Sequence, residues 1–167
     1  MFFRRAPKPV QQSTADDLTE LVQEHAPGVD EATQRLIVSV AGLLACVAHA
    51  DRHYNDAEQA YVKTALSRMQ GLTPEGADAI CSVLAGRGAQ IAAVNPQAYT
   101  RELRERADVE LRREVLDVLL DLAAVDDELS LAETDLLRRT TGALGLTQDD
   151  YLASQARHRS KLKVLQR

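Results

Sequence analysis

Apolar residues in this chain recur at three- and four-residue intervals, the spacing that lines one side of an α-helix. No stretch of useful length alternates with the period of two expected of a strand. The clearest stripe is Leu36, Val40, Leu43, Leu44 and Val47, which predicts a helix over about 30–51 with this side facing a core. Its other side carries Ser39, Gly42, Cys46 and Ala50, small residues that let a neighbouring helix approach closely. Upstream, Ser13 and Thr14 read as the cap of a helix with apolar points Leu18, Leu21 and Val22, closed by Pro27-Gly28. Downstream, a helix over 56–69 stops at Gly71, and Thr73-Pro74 opens another that frays at Gly86-Arg87-Gly88. Asn95-Pro96 repeats that opening signal ahead of Tyr99 and Leu103. Asp108 caps a long helix over 111–125 with Val115, Val118, Leu119 and Leu122 on one side. A helix over 131–144, Gly145 and a last helix capped by Thr147 follow. The prediction is an all-α single domain of seven to eight helices over 13–155. A flexible basic tail is expected over 1–12, and a basic C-terminal helix end or tail over 156–167.

The pattern also repeats. Ala50-Asp51-Arg52-His53-Tyr54-Asn55-Asp56-Ala57-Glu58 is answered by Val125-Asp126-Asp127-Glu128-Leu129-Ser130-Leu131-Ala132-Glu133. Residues 51 and 126 are 75 apart, as are residues 58 and 133, and the register extends upstream through Leu44, Val47 and Ala48 against Leu119, Leu122 and Ala123. After a slip of one residue, Leu72-Thr73-Pro74-Glu75 is echoed by Leu146-Thr147-Gln148-Asp149. A fixed period marks an internal duplication. Two helical hairpins are too few for a solenoid, so the expectation is one closed core in which they are related by an approximate two-fold axis, helix 30–51 against helix 109–125.

Composition narrows the picture. The chain has 167 residues, enough for a real core, yet only 4% are aromatic and there is no Trp. Close packing of Leu, Val, Ile and Ala must therefore hold it together. Cys46 and Cys81 form no metal or disulfide spacing and read as free thiols in a reducing compartment. The apolar stretch 36–48 is shorter than the roughly 20 residues a bilayer crossing needs. The first residues lack the apolar segment of a secretory signal, so the expected location is the cytoplasm. Net charge is −5, but Arg4, Arg5 and Lys8 at one end and Arg157, Arg159, Lys161, Lys163 and Arg167 at the other leave a body of net −13. Such a body repels phosphates, which argues against nucleic acid. The basic ends, with Phe2 and Phe3, could make peripheral contact with an anionic membrane, and a protein partner is expected.

The two units of long apolar helix, Asp, short turn and Glu, with a leucine-threonine-acid segment closing each, resemble the TerB-like family named for tellurite-resistance proteins. Similar domains occur in membrane-anchored DnaJ-type co-chaperones. The resemblance covers about 30–155. It implies an all-helical, non-enzymatic binding or sensing module of stress-response or membrane-associated complexes, with an acidic cluster suspected of holding a divalent metal. Carried onto this chain, the acids are Asp51, Glu58, Asp126 and Glu133. The family has Gly after each Asp where this chain has Arg52 and Asp127. If that residue needs a positive φ, Arg costs about 1 kcal/mol or more, so the first turn is expected to have relaxed.

The residues themselves leave two readings open. Asn55-x-x-Glu58 and Ser130-x-x-Glu133 are capping-box spacings, so both glutamates could serve helix starts alone. Asp51 and Asp126 sit near helix C-termini, where the helix dipole opposes an anion, and so call for a cation, an Arg partner or a turn amide. All-oxygen ligation would suit Ca²⁺ or Mg²⁺. His49 and His53 flank Asp51 at a zinc-compatible spacing, but the second copy has Ala124 and Glu128 there, which favours exposed histidines at a helix end. No nucleophile stands beside a base and no phosphate loop or HExxH occurs, so the sequence offers nothing catalytic. A purely structural interaction domain, its acids only capping helices, is the alternative.

Overall fold

In the computed structural model, residues 10–93, 96–126 and 129–165 are described. They form eight helices: α1 (Val10–His25), α2 (Glu31–Ala48), α3 (Asp56–Ser67), α4 (Pro74–Ala93), α5 (Pro96–Arg106), α6 (Val109–Ala123), α7 (Leu131–Ala143) and α8 (Gln148–Leu165). No strand occurs among the described residues. The fold is all-α, as the periodicity predicts.

Short polar side chains set the helix starts. Asp30 accepts from the Thr33 amide at 2.8 Å and Asp108 from the Leu111 amide at 2.8 Å, each satisfying a donor that the first turn leaves orphaned. Thr147 and Asp150 cap α8 reciprocally, the Thr147 amide donating to Asp150 Oδ2 at 2.8 Å and the Asp150 amide to Thr147 Oγ1 at 3.2 Å. After α7, Gly145 takes φ 70° while its amide donates to Gly142 O and that of Leu146 to Thr141 O, a paired bond that stops the helix.

Three boundaries differ most from the sequence reading, besides shifts of one to three residues at α2 (Glu31–Ala48) and α6 (Val109–Ala123). Helix α1 begins at Val10, so Ser13 and Thr14 lie inside it and the stretch read as a tail over 1–12 is helical from residue 10. Helix α4 runs through Gly86 and Gly88 to Ala93 instead of fraying there, because Gly88 is buried under the His49 side chain. Helix α8 continues to Leu165, across the start assigned to a C-terminal tail at 156.

Helix α2 is the centre of the molecule. It packs on α1, α4, α5 and α6 and meets α3 and α7 at their edges, and ten of its eighteen residues are buried. Of the described helices it alone is long and apolar enough to cross a membrane, with mean hydropathy 1.4 over eighteen residues. Here that apolarity faces protein on nearly every side. Its small-residue side does admit a close neighbour: Tyr99 of α5 lies across Gly42, where a Cβ would come within 2.5 Å of the ring. Burial pushes the Tyr99 phenol up to about 12.

The two hairpins, α2–α3 and α6–α7, pack directly on one another. Helix α2 packs on α6, α3 on α6, and α7 on α2. The third helices behave alike, α4 against α2 and α3, α8 against α6 and α7. Helices α1 and α5 depart from the pattern, α1 covering α4 and α5 covering α2.

Candidate functional site

The turn between α2 and α3 and the turn between α6 and α7 meet at one end of the domain. Asn55, the cap of α3, donates its side-chain amide to Asp126 Oδ2, a bond between residues 71 apart in sequence. Each hairpin thus contributes one half of the contact. Both capping boxes form. The Asn55 amide donates to Glu58 Oε2 at 2.8 Å and the Glu58 amide to Asn55 Oδ1 at 2.9 Å. The Ser130 amide donates to Glu133 Oε2 at 2.8 Å, and the Glu133 amide returns a bond to Ser130 Oγ at 3.1 Å. Glu58 and Glu133 are both buried, with exposures of 4% and 3%. Few carboxylates reach that state without a cationic partner.

The aspartates find separate answers to the unfavourable dipole. Asp51 Oδ1 accepts from the His53 amide at 2.9 Å, a turn-closing bond, while Asp126 is exposed and takes the Asn55 amide group. Arg52, next to Asp51, has φ 65°, the one non-glycine with positive φ among the described residues. The turn has therefore not relaxed. It keeps the left-handed conformation suited to glycine and places an arginine there, against the sequence expectation. Asp127, its counterpart, and Glu128 lie outside the described residues.

Electrostatics tie the four acids together. The carboxyl of Glu58 is raised above its ordinary value, first by burial and then by the charges of Asp51, Asp126 and Glu133, against the lowering effect of the Asn55 amide. None of the four forms an ion pair with Lys, Arg or His among the described residues. They are near enough to feel one another, but among the described residues no three His, Cys, Asp or Glu side chains are gathered closely enough to hold an ion. As placed, with one oxygen of each glutamate committed to a cap amide, the donor set does not amount to a finished metal site.

The histidines diverge. His53 is exposed, its Nδ1 2.9 Å from Asp51 O. His49 is half-buried instead of exposed: its Nε2 lies 3.2 Å from Leu84 O of α4, and its ring stands 5.1 Å from that of Tyr54. Gly88 makes room for it, since a Cβ at that position would fall 2.1 Å from His49 Nε2. The two rings thus serve different neighbours and share no centre. Cys46 is buried and its thiol is pushed up to about 12 by desolvation, which makes it inert.

A second polar cluster escaped the sequence reading. On α6, Asp117 accepts from Ser154 Oγ and pairs with Arg157 at 3.2 Å, and Asp121 meets His158 Nδ1 at 2.9 Å. Burial and then the charge of Asp121 raise the phenol of Tyr61 on α3, so three helices face that carboxylate. The signal was present: Asp117 and Asp121 are one helical turn apart, as are Ser154 and His158. Only the tertiary pairing of α6 with α8 makes it legible. Toward the far end of α8, Arg157 and Arg159 are exposed. Arg4, Arg5 and Lys8, with Phe2 and Phe3, lie outside the described residues.

Residues 37–156 match a family model described as Tellurite resistance protein TerB. No curated protein and no solved structure matches the chain.

Proposed function

The chain belongs to the TerB family of tellurite resistance proteins, and from that premise we propose that it is a non-enzymatic binding module whose working surface is the acidic end where the two hairpin turns meet. Its setting is a stress-response or membrane-associated complex, as the family resemblance implies. The ligand we assign to this end is a hard divalent cation, Ca²⁺ or Mg²⁺. One observation carries the reading: after burial, the charges of Asp51, Asp126 and Glu133 raise the Glu58 carboxyl, and none of the four acids is ion-paired with a basic side chain among the described residues. A divalent cation would relieve that repulsion, with oxygen donors of the type it prefers. Ligation needs the aspartates and the free glutamate oxygens to close by rotation.

The capping boxes favour a second reading, in which the same acids act only as helix starts and the module works by docking a protein elsewhere. Thermal melts with Ca²⁺ and Mg²⁺ separate the two. A cation at 100 times its dissociation constant stabilises the fold by about 2.7 kcal/mol, or about 5–10 °C for a chain of this size. Under the cation reading, Glu58→Gln with Glu133→Gln abolishes that rise while retaining both caps, because Gln serves the capping box as well as Glu. An unchanged melting temperature with either ion in the unaltered chain refutes cation binding and leaves the capping reading.

A further inference from the structure

A groove of about 580 Å³ runs between α1 and α4 on the surface of the domain. Its floor is the half-buried pair Leu21 and Val83, and its α1 rim carries Asp17, Glu20 and Glu24 at successive turns of one helix face. Asp17 is paired with Arg87 across the groove, whereas Glu20 and Glu24 are exposed and have no partner among the described residues. Gly86 leaves the α4 side open, with nothing within 4 Å of where a Cβ would stand. The result is a trough with two apolar side chains on its floor and an acidic edge, suited to a short segment that is aromatic and basic.

We propose that this groove is the docking site for the chain's own residues 1–9. That segment reads Met-Phe-Phe-Arg-Arg-Ala-Pro-Lys-Pro and lies outside the described residues. It supplies two adjacent Phe for the floor, and Arg4, Arg5 and Lys8 for the acidic rim. It leads directly into α1, whose own face forms that rim. Fully extended, nine residues reach about 30 Å. Leu21 is about 16 Å along α1 from Val10, so the segment can fold back to it, and Pro7 and Pro9 suit the reversal. Tethering holds the segment at an effective concentration in the millimolar range. An anionic membrane competes poorly for it, since the acidic body of the same molecule would be repelled from that surface.

The test uses the full chain and its backbone amide NMR spectrum. Phe2→Ala with Phe3→Ala should shift the amides of Leu21, Glu24, Val83 and Gly86, at unchanged position over a tenfold range of protein concentration. Gly86→Leu, whose Cβ meets open space and whose side chain projects into the trough, should free residues 1–9 and lower their heteronuclear NOEs to those of an unstructured peptide. Shift changes confined to residues 1–13, or NOEs of residues 1–9 identical in the parent chain and the Gly86→Leu variant, overturn the proposal. Groove shifts that appear only at high concentration overturn it in favour of a second copy. Sedimentation with phosphatidylserine vesicles that requires Phe2 and Phe3, with the groove amides unmoved, overturns it in favour of the membrane.

Discussion

Arg52→Gly should stabilise this protein. Arg52 holds φ 65° in the turn that follows α2, and its side chain is exposed, so the conformation is imposed by the turn and not by a buried contact of the arginine. A residue with a Cβ in the left-handed region costs about 1–2 kcal/mol, a penalty glycine escapes. Glycine gives back part of the gain, about 0.4–1 kcal/mol, because it loosens the unfolded chain. The net expectation is about 0.5–1 kcal/mol in favour of Gly, or a rise in melting temperature of about 1–4 °C for a chain of this length. Far-UV circular dichroism melts, with urea titration at 25 °C, measure it. Charge must be separated from backbone, because Arg52 also stands beside Asp51. Arg52→Ala removes the same charge and keeps the Cβ, so it should gain nothing. If Ala and Gly raise stability equally, the effect is electrostatic and the backbone argument fails. If Gly lowers stability, the arginine makes a contact that outweighs its strain.

Two further outcomes follow from the same geometry. Gly86→Ala should gain about 0.5–1 kcal/mol, since the site is helical and open, whereas Gly88→Ala should lose about 1–3 kcal/mol, since a methyl there displaces His49 from Leu84 O; urea titration of both variants checks the contrast. The Glu58 carboxyl is raised above 4.5 in the folded state, so the fold binds more protons there than the unfolded chain and Glu58 weakens it as pH rises through that interval. Glu58→Gln should therefore melt higher than the parent at pH 7, with the difference shrinking as pH falls toward 4.5; a difference that grows on acidification would contradict the assigned shift.

The periodicity of the apolar residues carried α2 and α6 because each has a strong one-sided stripe, and the capping boxes at Asn55–Glu58 and Ser130–Glu133 were legible because a cap is local chemistry. What stayed hidden depends on contacts between distant segments. Nothing in the sequence near His49 indicates that a glycine 39 residues later makes room for its ring, so an exposed histidine was the natural expectation. The same cause hid the continuation of α4 through Gly86 and Gly88, since glycine reads locally as a helix end. The bond from Asn55 to Asp126 brings the two turns together; Asp126 stood out by its place against the helix dipole, but nothing local marked Asn55 as its partner. Arg52 shows a different limit. The departure from Gly was visible, but whether the turn or the residue would yield is decided by the packing of the helices on either side.

The burial of α2 also has a consequence for the order of synthesis. Three of the helices that enclose it, α4, α5 and α6, follow it in sequence, and α6 ends about 75 residues after α2 does. At roughly 5–20 residues per second, the ribosome leaves this apolar helix without those coverings for about 4–15 s. During that interval the nascent chain displays a segment with the length and hydropathy of a membrane span, so factors that sort hydrophobic segments compete with the completion of its own core.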